Sequence, residues 1–300
     1  MRLLPGAVLF HCPVTASTTA RASTAVRRRV AHRWMLTSGL SAAGLVGVYV
    51  VAVLTPTGQA MEDSILRSVD GDTLLQSGSA LDAISPSALM LVVGVTMLVA
   101  FARRRPGAAL QAGALVIGAT VTTQVLKVVV PRPELTGDVY ANSFPSGHTT
   151  VAVAAMFAVL TAFGRRSRPV VYVVATGFAA VVAEQTVAYG WHRCSDVVGA
   201  CAVALLWLGV VRGVAARYTG DRRGRDESVG SKAHGVTSGV LGLALVVCLA
   251  ASGATWGIGI GSDMSVTTST GDGVLMGARL AAAGVVLVTG WLAWKLDRRL

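Results

Sequence analysis

The chain has 300 residues, of which 53% are hydrophobic and only 14% are charged, and its formal net charge is +11. Soluble globular domains carry roughly 25% charged residues, so this composition excludes an ordinary soluble domain and predicts an integral membrane protein. The positive charge lies in separate arginine clusters rather than in one patch. We therefore expect no nucleic-acid partner.

Eight apolar segments approach the length of about 20 residues that crosses a bilayer as a helix. In chain order they are residues 36–54, 83–102, 107–130, 149–163, 170–190, 197–211, 236–260 and 274–294. The fourth and the sixth are short for a span. The predicted fold class is all-α: a polytopic membrane helical bundle with a six-helix core and two additional C-terminal transmembrane helices.

Polar stretches divide the chain into four predicted parts. Residues 1–35 are rich in Ala, Ser, Thr and Arg and have no acids, which predicts a disordered cytoplasmic tail. Residues 36–216 form the predicted six-helix domain, 217–235 a polar cytoplasmic linker, and 236–300 a two-helix membrane extension. After the first helix, a short amphipathic helix is expected to lie on the membrane surface. Its apolar residues are Ile65, Leu66, Val69, Leu74 and Leu75.

The arginine clusters predict the orientation of the bundle. They fall on alternate connections, at residues 27–29, 103–105, 165–168, 217–225 and 298–299, whereas the other connections carry most of the acids. By the positive-inside rule both termini are cytoplasmic, and anionic lipid headgroups are the expected partners of the clusters. The end of the third helix, the start of the fourth and the end of the fifth then share the outer face.

Polar residues at those three helix ends are the candidate site. Ser146 is a good helix N-cap, Gly147 allows close approach of a ligand, and the free amides there attract anions. His148 lies in the same first turn. His192 and Asp196 are four residues apart and share one face of a helical turn, so the aspartate can fix the imidazole tautomer.

Each of these motifs also has an ordinary structural interpretation. The Pro-Ser-Gly-His string could be a capped helix with a surface histidine, and the His192–Asp196 pair a histidine beside a helix-starting aspartate. Lys127 and Arg132 could be anchors at a membrane surface rather than phosphate ligands. Glu184, inside the fifth segment, is either functional or neutralised within the bundle. Cys12, Cys194, Cys201 and Cys248 lack the spacing of a zinc site or a disulfide framework.

The three blocks together resemble the type 2 phosphatidic acid phosphatase/haloperoxidase superfamily, in its integral-membrane lipid phosphatase branch. The family has a Lys followed by Arg-Pro, then Pro-Ser-Gly-His, then an Arg upstream of His-x-x-x-Asp. This chain has Lys127 before Arg132-Pro133, Pro-Ser-Gly-His at 145–148, and His192 before Asp196. The resemblance covers roughly residues 86–211.

The resemblance implies hydrolysis of a phosphoester through a phosphohistidine, with no metal and no cofactor. His192 would be the nucleophile, Asp196 would orient it, and His148 would act first as acid and then as base. The groups implied to bind the phosphate oxygens are Lys127, Arg132 and the backbone amides of Ser146 and Gly147. On the outer face of the plasma membrane, the expected substrate is a lipid phosphate such as phosphatidic acid, or undecaprenyl pyrophosphate.

Two departures from the family pattern bear on this interpretation. Four residues separate Lys127 from Arg132, where the family has six. Thr186 stands where the family has an arginine six residues before the histidine, and Arg193 is a candidate substitute. The alternatives are a non-catalytic membrane protein that binds or moves lipid on a degenerate scaffold, favoured by Thr186, and a vanadate-dependent haloperoxidase, for which the expected soluble helical body is lacking.

Overall fold

The structure is a computed structural model that describes residues 14–69, 86–102, 104–137, 142–164, 166–218, 230–261 and 268–298. Within these ranges all regular structure is helical, which confirms the predicted all-α class. The helices are α1 (Val14–Val48, continued by a π-helical segment Tyr49–Val53), α2 (Pro56–Arg67), α3 (Pro86–Ala102), α4 (Pro106–Val129), α5 (Gly147–Ala162), α6 (Arg168–Ala188), α7 (Cys194–Tyr218), α8 (Ser231–Gly261) and α9 (Thr268–Arg298).

Among the described residues, six helices are long and apolar enough to cross a membrane, and they account for six of the eight predicted spans. These six stretches are Thr24–Val53, Pro106–Val129, Arg168–Ala188, Cys194–Tyr218, Lys232–Thr255 and Asp272–Asp297. The other two predicted spans are the shorter apolar helices Val93–Ala102 and Gly147–Ala162. The protein is thus a helical membrane protein.

The central helix of the bundle is α5, which packs against α3, α4, α6 and α7. Its side chains are buried on every face, with Val153, Phe157 and Leu160 fully enclosed. A helix that is apolar all round belongs in the interior. This explains why α5 can be shorter than its neighbours, and it fixes the position of the Ser146–His148 turn at one end of the bundle.

The predicted disordered tail is wrong from residue 14 onward, because α1 begins at Val14. Trp34 is buried where α1 packs along α7. The two helices approach closely at Gly209 and Gly213 of α7. A Cβ on Gly209 would lie 2.3 Å from the Ser38 hydroxyl oxygen, and one on Gly213 would lie 2.8 Å from the Met35 sulfur. A sequence of arginines and small residues without acids is typical of a disordered tail. The sequence alone does not show that α1 packs against α7.

The sixth predicted span was expected to be short, ending at 211, but α7 continues to Tyr218. The apolar run stops at Arg212, whose side chain is buried. Its guanidinium donates to the Leu160 carbonyl oxygen (3.3 Å) and pairs with Asp297 of α9 (2.8 Å). Because the charge is compensated inside the bundle, the helix does not need to end there.

The C-terminal helix α9 packs against α6 and α7 of the core as well as against α8. Near one end, Asp297 pairs with both Arg212 and Arg168 (3.2 Å to Arg168). Near the other end, Glu184 pairs with Arg279 at 2.5 Å. Glu184 is therefore compensated by an arginine of α9, which agrees with the interpretation that it is neutralised within the bundle.

The short helix α2 begins with Thr55 as N-cap, whose hydroxyl accepts from the Gly58 amide at 3.0 Å. We expected this region to lie with its apolar face on the membrane. That interpretation is wrong for its polar side, because Gln59, Glu62 and Asp63 are buried against the protein. Leu74 and Leu75, which were part of the prediction, lie outside the described residues, as do Cys12 and linker residues 219–229.

Candidate active site

The three sequence blocks meet at one end of the bundle. Lys127 lies in the last turn of α4, Ser146 caps α5, and His192 lies in the turn between α6 and α7. A Cβ on Gly147 would lie 3.9 Å from the Lys127 ammonium nitrogen. A flexible cation and the positive end of a helix therefore share one space, which is an arrangement suited to an anion.

The second block folds as a capped helix start, and its details correct one expectation. The Ser146 hydroxyl oxygen accepts from the Thr149 amide (3.4 Å) and bonds the Thr149 hydroxyl (3.0 Å), while its own amide donates to the Asp196 carbonyl oxygen (3.0 Å). Ser146 is fully buried. Its amide is thus not available to a phosphate, contrary to the sequence-based expectation, and it joins the second block to the third. The amides of Gly147 and His148 remain as the first turn of the helix, which has no intrahelical acceptors.

The His192–Asp196 pair forms as predicted. The Nδ1 atom of His192 lies 3.2 Å from Oδ2 of Asp196, which is fully buried. The same oxygen accepts from the Ser143 hydroxyl (2.6 Å) and from the Arg193 amide (3.0 Å). Because an ionised carboxylate can only accept, we assign the imidazole proton to Nδ1. This leaves a lone pair on Nε2.

His148 faces His192 across the site. The ring centroids are 6.4 Å apart and the ring planes are inclined at 64°, and Trp191 packs beside His148 with its centroid at 5.9 Å. Two imidazoles at this separation can contact opposite sides of one phosphoryl group. The arrangement can therefore supply one histidine as nucleophile and another as proton donor.

The loop after α4 carries Arg132 to the same end of the bundle. Arg132 donates to a carboxylate oxygen of Glu62 at 3.3 Å, and its side chain is 4% exposed. Its second terminal nitrogen, Nη1, is buried and has no hydrogen-bond partner among the described residues. The loop is fastened by Asn142, whose amide group donates to the carbonyl oxygens of Lys127 (3.2 Å) and Val130 (2.8 Å).

The second departure noted in the sequence, Thr186 with Arg193 as its candidate substitute, can be examined in the structure. Thr186 is fully buried and its hydroxyl donates to the Ala183 carbonyl oxygen, so this side chain does not open to the site. Arg193 points toward α2, where it pairs with Asp63 at 3.0 Å and lies 3.4 Å from the Ser143 hydroxyl. The Arg193 side chain therefore lies between Asp63 of α2 and the Ser143 hydroxyl, which itself bonds to Asp196.

Sequence reasoning missed four residues of this site: Gln59, Glu62, Asp63 and Ser143. Glu62 accepts from the Ser195 amide at 3.0 Å, although 133 positions separate the two residues. The acids of α2 were interpreted only as charges on an outer connection. Ser143 lay within the second block, but nothing in the sequence indicated that its hydroxyl would bond to Asp196.

Glu62, which lies outside the membrane-spanning helices, also has a pKa that its surroundings change. Burial raises the pKa of its carboxyl group, the Asp196 charge raises it further, and the Ser195 hydrogen bonds and Arg132 offset only part of this. Within the described residues no group of three or more His, Cys, Asp and Glu could hold a metal ion.

The raised pKa predicts how stability depends on pH. The folded protein holds the Glu62 proton more tightly than the unfolded chain does. The stabilisation that comes from this tighter proton binding is therefore complete below the unfolded pKa of about 4.3. It is lost as the pH rises through the folded pKa. We expect the melting temperature of wild type to fall relative to Glu62→Gln over this range, measured in detergent. A constant difference at all pH values would contradict the prediction.

Comparison with protein families agrees with this geometry. Residues 82–219 match the family model described as PAP2 superfamily. No curated protein and no solved structure matches the chain. The match contains all three blocks and excludes α1, α2, α8 and α9, so the acids that contact Arg132 and Arg193 come from outside the PAP2 region.

The match to the PAP2 superfamily points to the general chemistry. Members of the superfamily hydrolyse phosphoric esters, and the long apolar helices indicate a membrane protein. The two facing histidines, the buried aspartate and the adjacent cation are consistent with that chemistry. The match therefore supports a phosphoric ester hydrolase in general.

Proposed function

We propose that the protein is a metal-independent phosphatase that hydrolyses a lipid phosphate or a polyprenyl pyrophosphate at the extracytoplasmic face, through a phosphohistidine. The observation that carries the proposal is the pair of imidazoles 6.4 Å apart, one of them bonded to a buried carboxylate. A histidine held in one tautomer opposite a second histidine is what a two-step displacement at phosphorus needs.

In the first step, Nε2 of His192 attacks the terminal phosphorus and the bond from this phosphorus to its leaving oxygen breaks, which is the lipid oxygen of a lipid phosphate or the bridging oxygen of a pyrophosphate. His148 donates its proton to the departing oxygen, and Asp196 stabilises the charge on the His192 ring. In the second step, His148 takes a proton from water. The water oxygen then displaces His192, which releases inorganic phosphate.

Charge on the phosphoryl oxygens must be stabilised throughout both steps. Lys127, Nη1 of Arg132 and the amides of Gly147 and His148 are the groups placed to do this. Ser146 contributes by holding the turn, since its amide bonds to the Asp196 carbonyl oxygen. Thr186 carries no charge. The only substitute that we assign for the missing cation is the long-range positive field of Arg193.

A lipid substrate is supported by the surface next to Lys127. Val128 and Val129 follow it directly and are 87% and 69% exposed. An acyl or prenyl chain can lie against such apolar surface at a helix end while its headgroup enters the site. A soluble phosphoester would gain nothing from this surface.

The proposal is tested by phosphate release from purified protein in detergent with EDTA. The substrates are phosphatidic acid, phosphatidylglycerol phosphate and undecaprenyl pyrophosphate. We expect turnover of at least one of them in chelator. If the lipids bind and none is hydrolysed, the alternative of a lipid-binding protein on a degenerate phosphatase scaffold replaces the proposal. Thr186 is the observation that favours this alternative.

The outer location of the site makes its own prediction. In a background without native cysteines, Glu134→Cys in the loop after α4 should react with an impermeant thiol reagent added to intact cells. Arg166→Cys, between α5 and α6, should react only after permeabilisation. Both positions are exposed, so reactivity reports sidedness. The expectation rests on the alternation of arginine clusters, and the reverse pattern would place the site in the cytoplasm.

A further inference from the structure

Helix α2 inserts its polar face between two parts of the phosphate site. Gln59, Glu62 and Asp63 are spaced so that they share one helix face, and all three are buried. On one side of this face lies the loop 131–136 after α4. On the other lies the turn 192–196, which carries the second histidine. The loop is irregular and the turn only begins helix α7, so each depends on contacts of this kind for a fixed position.

Glu62 connects the two elements directly. One of its carboxylate oxygens, Oε2, lies 3.3 Å from Nη2 of Arg132 and 4.0 Å from Nε of Arg193. The other oxygen accepts from the Ser195 amide at 3.0 Å. A buried guanidinium needs an opposing charge, and Glu62 supplies it at one end of Arg132 only. The buried Nη1 at the other end is left without a partner among the described residues.

Asp63 and Gln59 make parallel connections. Asp63 accepts from Arg193 (3.0 Å) through one oxygen and from the Thr136 hydroxyl (2.8 Å) through the other. The Gln59 amide group donates to the Pro133 carbonyl oxygen at 2.7 Å, and its oxygen accepts from the Leu135 amide at 3.2 Å. The loop and the turn are therefore held by the same short helix.

We propose that Glu62 and Asp63 are positioning residues of the phosphate site. Glu62 binds one end of the Arg132 guanidinium so that Nη1 faces the phosphoryl oxygens. Asp63 holds Arg193 so that the turn with His192 keeps its place against the loop. This inference rests on the proposed function, since it assigns both acids to the site where the phosphoryl group binds.

The opposite role for Glu62 and Asp63 would be to inhibit anion binding at the site. Lys127, Arg132 and Arg193 face Glu62, Asp63 and Asp196, so acids and cations are equal in number at this end. If the acids merely neutralised the cations, their removal would strengthen anion binding. A positioning role has the opposite sign, because an unheld arginine loses its orientation and the entropy of fixing it opposes binding.

The experiment is a double-mutant cycle on vanadate binding by the full-length protein in detergent. Glu62→Gln keeps the length of the side chain and an acceptor for the Ser195 amide, and removes only the charge. We expect it to weaken vanadate binding about tenfold, the size of one charge-assisted contact. In an Arg132→Ala background, the same change should have almost no further effect, because the two residues act as one unit. Glu134→Gln, which removes an exposed acid from the same loop, is the matched control and should leave affinity unchanged.

Tighter vanadate binding by Glu62→Gln, an equal loss in both backgrounds, or no vanadate binding by wild type would each overturn the inference. Asp63→Asn gives a second measurement should Glu62→Gln fail to fold, with an expected loss of about two- to tenfold and unchanged affinity as the contradicting result. Phosphate release from lipid is measured separately. A protein that shows the expected cycle but hydrolyses no lipid ends the proposed function and leaves the positioning role standing.

Discussion

Replacement of His192 by alanine is expected to abolish turnover, with a loss of at least about 10⁴-fold, which is typical for removal of a nucleophile. The reason is that no covalent phosphohistidine can form once Nε2 is absent. The measurement is twofold: steady-state phosphate release, and retention of radiolabel on the protein after brief mixing with labelled substrate and quenching at alkaline pH, where phosphohistidine survives. His192→Ala should show neither.

His32→Ala is the matched control, because His32 is an exposed histidine on α1, far along the chain from the three blocks. It should retain wild-type rates and labelling. Label on the His192→Ala protein, or turnover close to wild type, would show that phosphorus is attacked by another group. The assignment of His192 would then fail even if the protein is a phosphatase.

Replacement of His148 by alanine is expected to have an effect that depends on the leaving group. With a lipid phosphate, whose alkoxide is a poor leaving group, the loss should be about 10²–10⁴-fold because proton donation is missing. With a nitrophenyl phosphate the first step needs little proton assistance. The nitrophenol should then appear in a burst, followed by slow turnover, because water is no longer activated in the second step.

Stopped-flow absorbance detects the burst, and its amplitude should approach one equivalent per active site. Wild type is the control and should show less accumulation of the intermediate. Equal losses on the lipid and on the activated ester, without a burst, would leave the division into nucleophile and acid unsupported. In that case the 6.4 Å between the rings would need another explanation.

The parts of the site that the sequence could predict are those carried by local motifs. Ser146 and His148 lie at a helix start, and His192 and Asp196 are four residues apart, so their local geometry follows from helix periodicity. The charge pattern placed these blocks at one end of the bundle. The eight apolar segments likewise correspond to helices, because composition and length determine them.

The remaining features depend on contacts between distant parts of the chain. Glu62 meets Ser195 and Arg132 only in the folded bundle, and no spacing in the sequence relates them. The Ser146 amide was expected to face phosphate, whereas the Asp196 carbonyl oxygen occupies it. Periodicity says which residues share a face of one helix, but it does not say which neighbour covers that face.

Helix α9 has a consequence for what counts as one folding unit. The PAP2 match ends at residue 219, yet Asp297 provides a carboxylate to both Arg168 and Arg212 inside the bundle. A chain that ended at the family boundary would leave these two guanidiniums close together without the acid that they share, at a cost of several kcal/mol. The region that matches the family and the body that compensates its buried charges therefore differ here by at least helix α9. Loss of α9 would therefore change the core of the bundle rather than a peripheral helix.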